Sequence, residues 1–149
     1  MKVHPSVPVA LLTLALAACS ANVPVKTGVG SNASTPEEAV AARAQARWDA
    51  IVAKDFEAAY AYLTPGARST TSLDAYSRRM LNATIRWTKA EVREVTCEDA
   101  DLCNAMLMIT YKVRGASPGV GELEGFAPVH EKWLRSKDGW FHLPEATGH

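Results

Sequence analysis

The chain has no charge of either sign to spare. Its 149 residues carry 16 Lys and Arg against 16 Asp and Glu, a formal net charge of zero. That balance removes the electrostatic footprint of a nucleic-acid binder. Cysteine is scarce, at three residues, and none are spaced Cys-x-x-Cys, so the usual mark of a redox-active pair or a zinc ribbon is missing. No phosphate loop and no zinc-ligand spacing occurs, and neither a cofactor nor a metal is expected. No apolar run approaches the ~20 residues of a spanning helix. Glycine and proline, at 9 and 8, are too few for a chain disordered throughout. What remains is 48% hydrophobic and of a length that suits one domain.

The amino-terminal end has its own pattern. Lys2 supplies a positive charge, and Val7 to Ala18 is apolar apart from Pro8 and Thr13. That is the size of a secretory h-region. The run ends in Leu16-Ala17-Ala18-Cys19, which resembles the lipobox of bacterial lipoproteins. The resemblance implies a signal peptide over residues 1–18, diacylglyceryl transfer to the Cys19 sulfur, cleavage before it, and fatty acylation (palmitate or similar) of the new amino terminus. The small residues also suit ordinary secretory cleavage, which is the alternative. Ser20 follows the cysteine, where the enterobacterial sorting rule would need aspartate for inner-membrane retention. The expected location is therefore the outer membrane, lipid-anchored and facing the periplasm. Three acyl chains hold far more firmly than one. Ser20 to Ser34 lacks periodicity and has one charge, Lys26, so residues 19–34 read as a lipidated terminus and a coil tether spanning roughly 20 Å. Residues 35–146 are left as the folded domain.

Cys97 and Cys103 remain as a pair, separated by five residues and flanked by strand-like segments. In an oxidising compartment they are expected to form a disulfide across a hairpin. A loop that short gains little chain-entropy stabilisation, so the bond would chiefly fix register.

Helical spacing comes first along the domain. Thr35, Pro36 and Glu38 form a capping-box start. Val40, Ala44, Trp48, Ile51 and Val52 then recur at helical period, predicting a helix through Lys54. Asp55 caps a second helix over 56–63, ended by Thr64-Pro65-Gly66, and Ser72 caps a third over about 73–82 whose face carries Leu73, Tyr76, Met80 and Leu81. From Thr84 the period becomes two. The first strand, to Cys97, changes apolar phase twice: Ile85 and Trp87, then Ala90 and Val92, then Val95 and Cys97. Such slips predict bulges. Cys103 to Arg114 alternates cleanly, Gly115 to Gly125 reads as a loop, and strands follow over about 126–136 and 140–143 around an Asp138-Gly139 turn.

Helices followed by a curved antiparallel sheet make an α+β domain. Trp48 to Arg68 (WDAIVAKDFEAAYAYLTPGAR) and Glu131 to Leu143 (EKWLRSKDGWFHL) resemble the opening helical pair and the terminal hairpin of the nuclear-transport-factor-2-like, or cystatin-like cone, superfamily. The resemblance implies N-terminal helices packed on a curved antiparallel sheet, enclosing a pocket or presenting a dimer face. It also implies a short strand between the second and third helices, for which Ala67 to Thr71 is the candidate. The superfamily includes ketosteroid isomerase-like enzymes, ligand binders and envelope domains, so the fold by itself assigns no function.

An isomerase or dehydratase needs a pocket base and a hydrogen-bond donor such as tyrosine. Glu131 alternates with Val129 and Trp133, and is the catalytic candidate because it would point into the cone, where burial raises a carboxyl pKa. His130 and His142 read as surface or rim residues, with His142 opposite about Leu134. Arg43 with Arg47, and Arg78-Arg79, read as solvated helix faces. Trp48, Tyr60, Tyr76, Trp87, Met106, Met108 and Trp133 are candidate pocket-lining residues. The leading functional expectation is a non-catalytic, membrane-anchored binding or assembly module. Its partner would be an envelope protein or a small apolar ligand, with a homodimer admissible and no nucleic acid. The alternative is a small-molecule isomerase or dehydratase using Glu131. Substitution of Cys19→Ala is expected to abolish incorporation of labelled palmitate into the chain; undiminished labelling would sink the lipobox assignment.

Overall fold

The computed structural model describes residues 34–115 and 121–145; the expected signal peptide, Cys19 and the tether before residue 34 lie outside them. Helix α1 spans Pro36–Val52. Its start is the expected capping box: Thr35 Oγ1 accepts from Glu38 N at 3.2 Å, and Glu38 Oε2 accepts from Thr35 N at 3.0 Å. Its buried stripe is Val40, Ala44, Arg47, Trp48 and Ile51. Lys54, at φ 62°, turns the chain after α1. Asp55 then caps α2 (Phe56–Ala61) by accepting from Ala58 N at 3.0 Å.

Between α2 and the last helix the structure corrects the sequence. Ala67 to Thr71 is not a strand. Thr64 caps a short helix α3 (Pro65–Thr70), with Pro65 at its first position, where a missing N–H costs nothing. The extended contact falls earlier: Leu63 forms a parallel bridge to His142, with Thr64 N donating to His142 O at 3.0 Å and His142 N to Tyr62 O at 2.8 Å. That bridge also stops α2 short of Leu63. Helix α4 (Leu73–Leu81) is capped by Ser72 and buries Tyr76, while Leu81 is 64% exposed rather than part of the packed face.

The four strands β1 (Ile85–Cys97), β2 (Leu102–Arg114), β3 (Glu122–Ser136) and β4 (Gly139–Leu143) form one antiparallel sheet in sequence order. Register shifts in β1 lie between Trp87 and Lys89 and between Val92 and Glu94, the two places where the apolar phase slips. At the second, the Gln45 side chain of α1 takes up strand groups, its Nε2 donating to Ala90 O at 2.9 Å and its Oε1 accepting from Val92 N at 3.1 Å. The predicted 115–125 loop is shorter than expected, because the β2–β3 ladder runs to Arg114 opposite Glu122. A Cβ on Gly125 would come within 2.9 Å of the Tyr111 ring lying across it, so a larger residue there would have to displace the ring. Cys103, Ala105, Leu107 and Ile109 face α1 in the core with Trp133, Trp140, Phe56 and Leu63.

Cys97 and Cys103 are directly opposite one another in the β1–β2 ladder, with their sulfurs at bonding distance. Replacing both by serine is expected to lower unfolding stability by ~2 kcal/mol or less while preserving the fold. Denaturant titration followed by circular dichroism measures this, and complete loss of structure would contradict a register-fixing role.

Candidate functional site

Glu131 stands on the core side of β3 between Val129 and Trp133, and is 5% exposed. Three N–H donors converge on it. Oε1 accepts from Arg47 Nη1 at 2.5 Å and from Trp48 Nε1 at 2.7 Å, and Oε2 accepts from Trp133 Nε1 at 3.1 Å. Arg47 and Trp48 are consecutive on α1, so one helical turn supplies both a charge and an indole. The Arg47 guanidinium also lies 5.7 Å from the Trp48 ring centroid. Burial pushes the Glu131 carboxyl above its ordinary range, opposed by the Arg47 charge and then by the two indole donors.

His142 completes the cluster, correcting its expected place at the rim. It is 9% exposed, its ring centroid is 5.8 Å from that of Trp133, and its Nε2 is 3.9 Å from Glu131 Oε1. The reason is register. A turn centred on Asp138 would set His142 opposite Leu134, but Ser136 pairs with Gly139, leaving Lys137 and Asp138 as a two-residue turn and placing His142 opposite Trp133. A one-residue slip reverses every side chain, and this one turns His142 inward. Gly139, at φ +117°, accommodates the turn. Burial, and secondarily the Arg47 charge, pull the imidazole down to about 3, so it is neutral near pH 7. His130, by contrast, is exposed on the opposite face, paired with Met106.

Arg47 is likewise not a solvated residue, at 6% exposure. Position 47 falls inside the Val40, Ala44, Trp48, Ile51 stripe, a signal overridden by its charge. Arg43 is also engaged: its Nε donates to Trp140 O at 2.5 Å, and its guanidinium stacks on Tyr62 and Phe141 at 4.9 and 5.3 Å. Tyr76 is 2% exposed, and burial raises its phenol pKa against the pull of Arg47. Its hydroxyl, Arg47 Nε and His142 Nδ1 are buried without a hydrogen-bond partner among the described residues.

The candidate pocket residues separate into different environments. Trp48, Tyr76 and Trp133 are in the core. The half-buried Tyr60 hydroxyl donates to the Thr71 and Arg68 carbonyls at 2.8 and 3.1 Å. Trp87, half-buried, lines a cavity of about 120 Å³ with Phe56, Met80 and Ile85. Met106 and Met108 stand on the face of β2 away from Ala105, Leu107 and Ile109, and Met106 lines an open cleft with His130. Among the cavities at the surface of the described residues are five of about 120 to 370 Å³, and Glu131 lines none of these five. No group of three His, Cys, Asp or Glu suited to a metal occurs among the described residues, and no helix there is long and apolar enough to cross a membrane. Gly115-Ala116-Ser117-Pro118-Gly119 spells Gly-x-Ser-x-Gly, although no nucleophile elbow is expected from the sequence, and residues 116–120 lie outside the described residues.

A SEC-C motif-containing protein from Rhodopseudomonas palustris superposes with TM-score 0.54 at 16% identity, covering 77% of this chain and 82% of its own. A ketosteroid isomerase-like protein from Erwinia carotovora atroseptica superposes with TM-score 0.51 at 19% identity, covering 73% and 92%. The fold is the nuclear-transport-factor-2-like cone. A dehydratase-like member of that family from Streptomyces avermitilis aligns at 16% identity over 74% of this chain and 96% of its own, with TM-score 0.49. At these identities the likeness concerns fold alone. No family model and no curated protein matches the chain.

The His142 environment sets a pH dependence. The unfolded imidazole gains its proton near 6.5 and the folded one near 3, so the unfolded state binds more protons between those values. Stability is therefore full above about pH 6.5 and falls as pH drops toward 3, by at most about 1.4 kcal/mol per pH unit for one proton. Glu131, raised when folded, contributes the opposite slope above its ordinary value. His142→Gln is expected to flatten the acid-side decline in urea midpoints between pH 6 and 4; an unchanged slope would contradict a neutral buried imidazole.

Proposed function

We propose that this chain is an outer-membrane lipoprotein, anchored through Cys19 and facing the periplasm, whose cone domain acts as a non-catalytic binding or assembly module for an envelope protein or a small apolar ligand. The observation that supports the non-catalytic reading is the state of Glu131. Both its oxygens accept N–H bonds, one from a guanidinium that stays protonated. One acceptor site is left over, on Oε2, but a general base must also be within reach of a substrate proton, and Glu131 lines none of the five cavities described above. The carboxyl an isomerase would use as its base is instead spent tying α1 to β3 through Arg47 and Trp48. A lipid tether suits such a module by holding it at a surface where local concentration replaces affinity.

Substitution tests the two readings against each other. Arg47→Met alone or Glu131→Leu alone leaves one buried charge unpaired and is expected to cost about 3–5 kcal/mol, while the double variant returns close to the parent. In native mass spectrometry and in-cell crosslinking of full-length chain from outer-membrane fractions, the double variant is expected to keep the same stoichiometric apolar adduct or the same crosslinked envelope protein. A substrate turned over by the parent but not by a folded Glu131→Gln variant would overturn the non-catalytic reading.

A further inference from the structure

A cavity of about 370 Å³ opens where α3, the end of α4 and the end of β4 meet. It is separate from the Glu131 cluster, none of whose members lines it. Its volume falls at the lower end of small-molecule sites. Leu63, Leu143 and Pro144 give it an apolar wall, and Leu143 keeps 37% of its surface exposed there. Thr64 also lines it while being only 9% exposed. Its Oγ1 accepts the Ala67 N–H at 3.3 Å as the cap of α3, and its O–H has no acceptor among the described residues.

Two charged side chains line the same cavity, one of each sign: Arg79 from α4 and Glu145 beyond β4. Neither has an opposite charge within 4.0 Å among the described residues, and they do not pair with one another. The Arg79 guanidinium rests 5.7 Å from the Tyr76 ring centroid, which orients it without neutralising it. A simple carboxylate with an apolar body would match Arg79 and the wall but bring its charge into the field of Glu145. A neutral apolar molecule would leave both charges without partners while desolvating them. A zwitterion answers both.

We propose that this cavity binds an apolar amino acid or dipeptide, its carboxylate toward Arg79, its ammonium toward Glu145 and its side chains against Leu63, Leu143 and Pro144. The Thr64 hydroxyl supplies a further donor to the carboxylate or peptide carbonyl. This assignment rests on the binding-module reading and names its ligand class.

Isothermal titration of the full-length lipidated chain in detergent, with leucyl-leucine as the probe, tests it. Saturable binding of one dipeptide per chain is expected. Arg79→Gln and Glu145→Gln, both at exposed positions, should each weaken it by about tenfold or more without moving the thermal unfolding midpoint. The N-acetylated and C-amidated dipeptides should each lose a similar factor. Absence of saturation below about 10 mM, equal binding of the capped dipeptides, or indifference to both substitutions would overturn the proposal. If the dipeptide fails while a stoichiometric adduct or a crosslinked envelope protein is still found, only the ligand class falls. Loss of all three would remove the module reading as well.

Discussion

The Arg47–Glu131 pair is the constraint on which the arrangement of the domain depends. Among the described residues it is the one ion pair in which a helix charge and a strand charge are both withdrawn from water, and such a pair breaks even only when its remaining hydrogen-bonding capacity is met. The two indoles meet it on the carboxylate side. Trp48 and Trp133 are therefore more than bulk: each places its single N–H on the same carboxylate, one from the helix and one from the strand. The azimuth of α1 over the sheet is fixed by these directional bonds. A purely apolar stripe would tolerate more rotation, because apolar contact has no preferred direction.

The same cluster explains how a fold associated with pockets can have a closed centre. The interior between α1 and the sheet holds large side chains, and cavities open at the periphery, one of them against α3 and the end of β4. Polarity in this core serves geometry first. The raised carboxyl of Glu131 and the depressed imidazole of His142 are consequences of burial. Perturbed ionisation marks a functional site only when something outside can reach it.

Much of the architecture was legible because local chemistry and packing agreed. Thr35-Pro36-x-Glu38 writes its own helix start, and the two phase changes along 85–97 coincide with the two bulges. Glu131 was placed inward by alternation alone. The remainder was lost where one residue of register or one charge outweighed the pattern. Arg47 occupied a core position of α1, but its charge placed it outside. His142 faced outward until the turn at 137–138 proved to hold two residues, and that parity decides which side of β4 carries the imidazole. The short strand expected at 67–71 became a helix because Thr64 and Pro65 form a helix start, while Leu63 supplied the pairing instead. The cavity between α3 and β4 had no signal at all, since its lining comes from separated segments, two of which the Leu63–His142 bridge holds side by side.

That bridge and the Gln45 side chain share a further consequence. An open four-stranded sheet has two free margins, and unpaired N–H and C=O groups there are templates for edge-to-edge joining of neighbouring molecules. Here the β4 margin is occupied by the segment around Leu63, and the β1 margin is interrupted at its bulge, where the Gln45 amide takes the groups of Ala90 and Val92. If many copies were crowded on one surface, the sheet would offer neighbours few unpaired strand groups at these points, and polymerisation through it would be blunted from both sides.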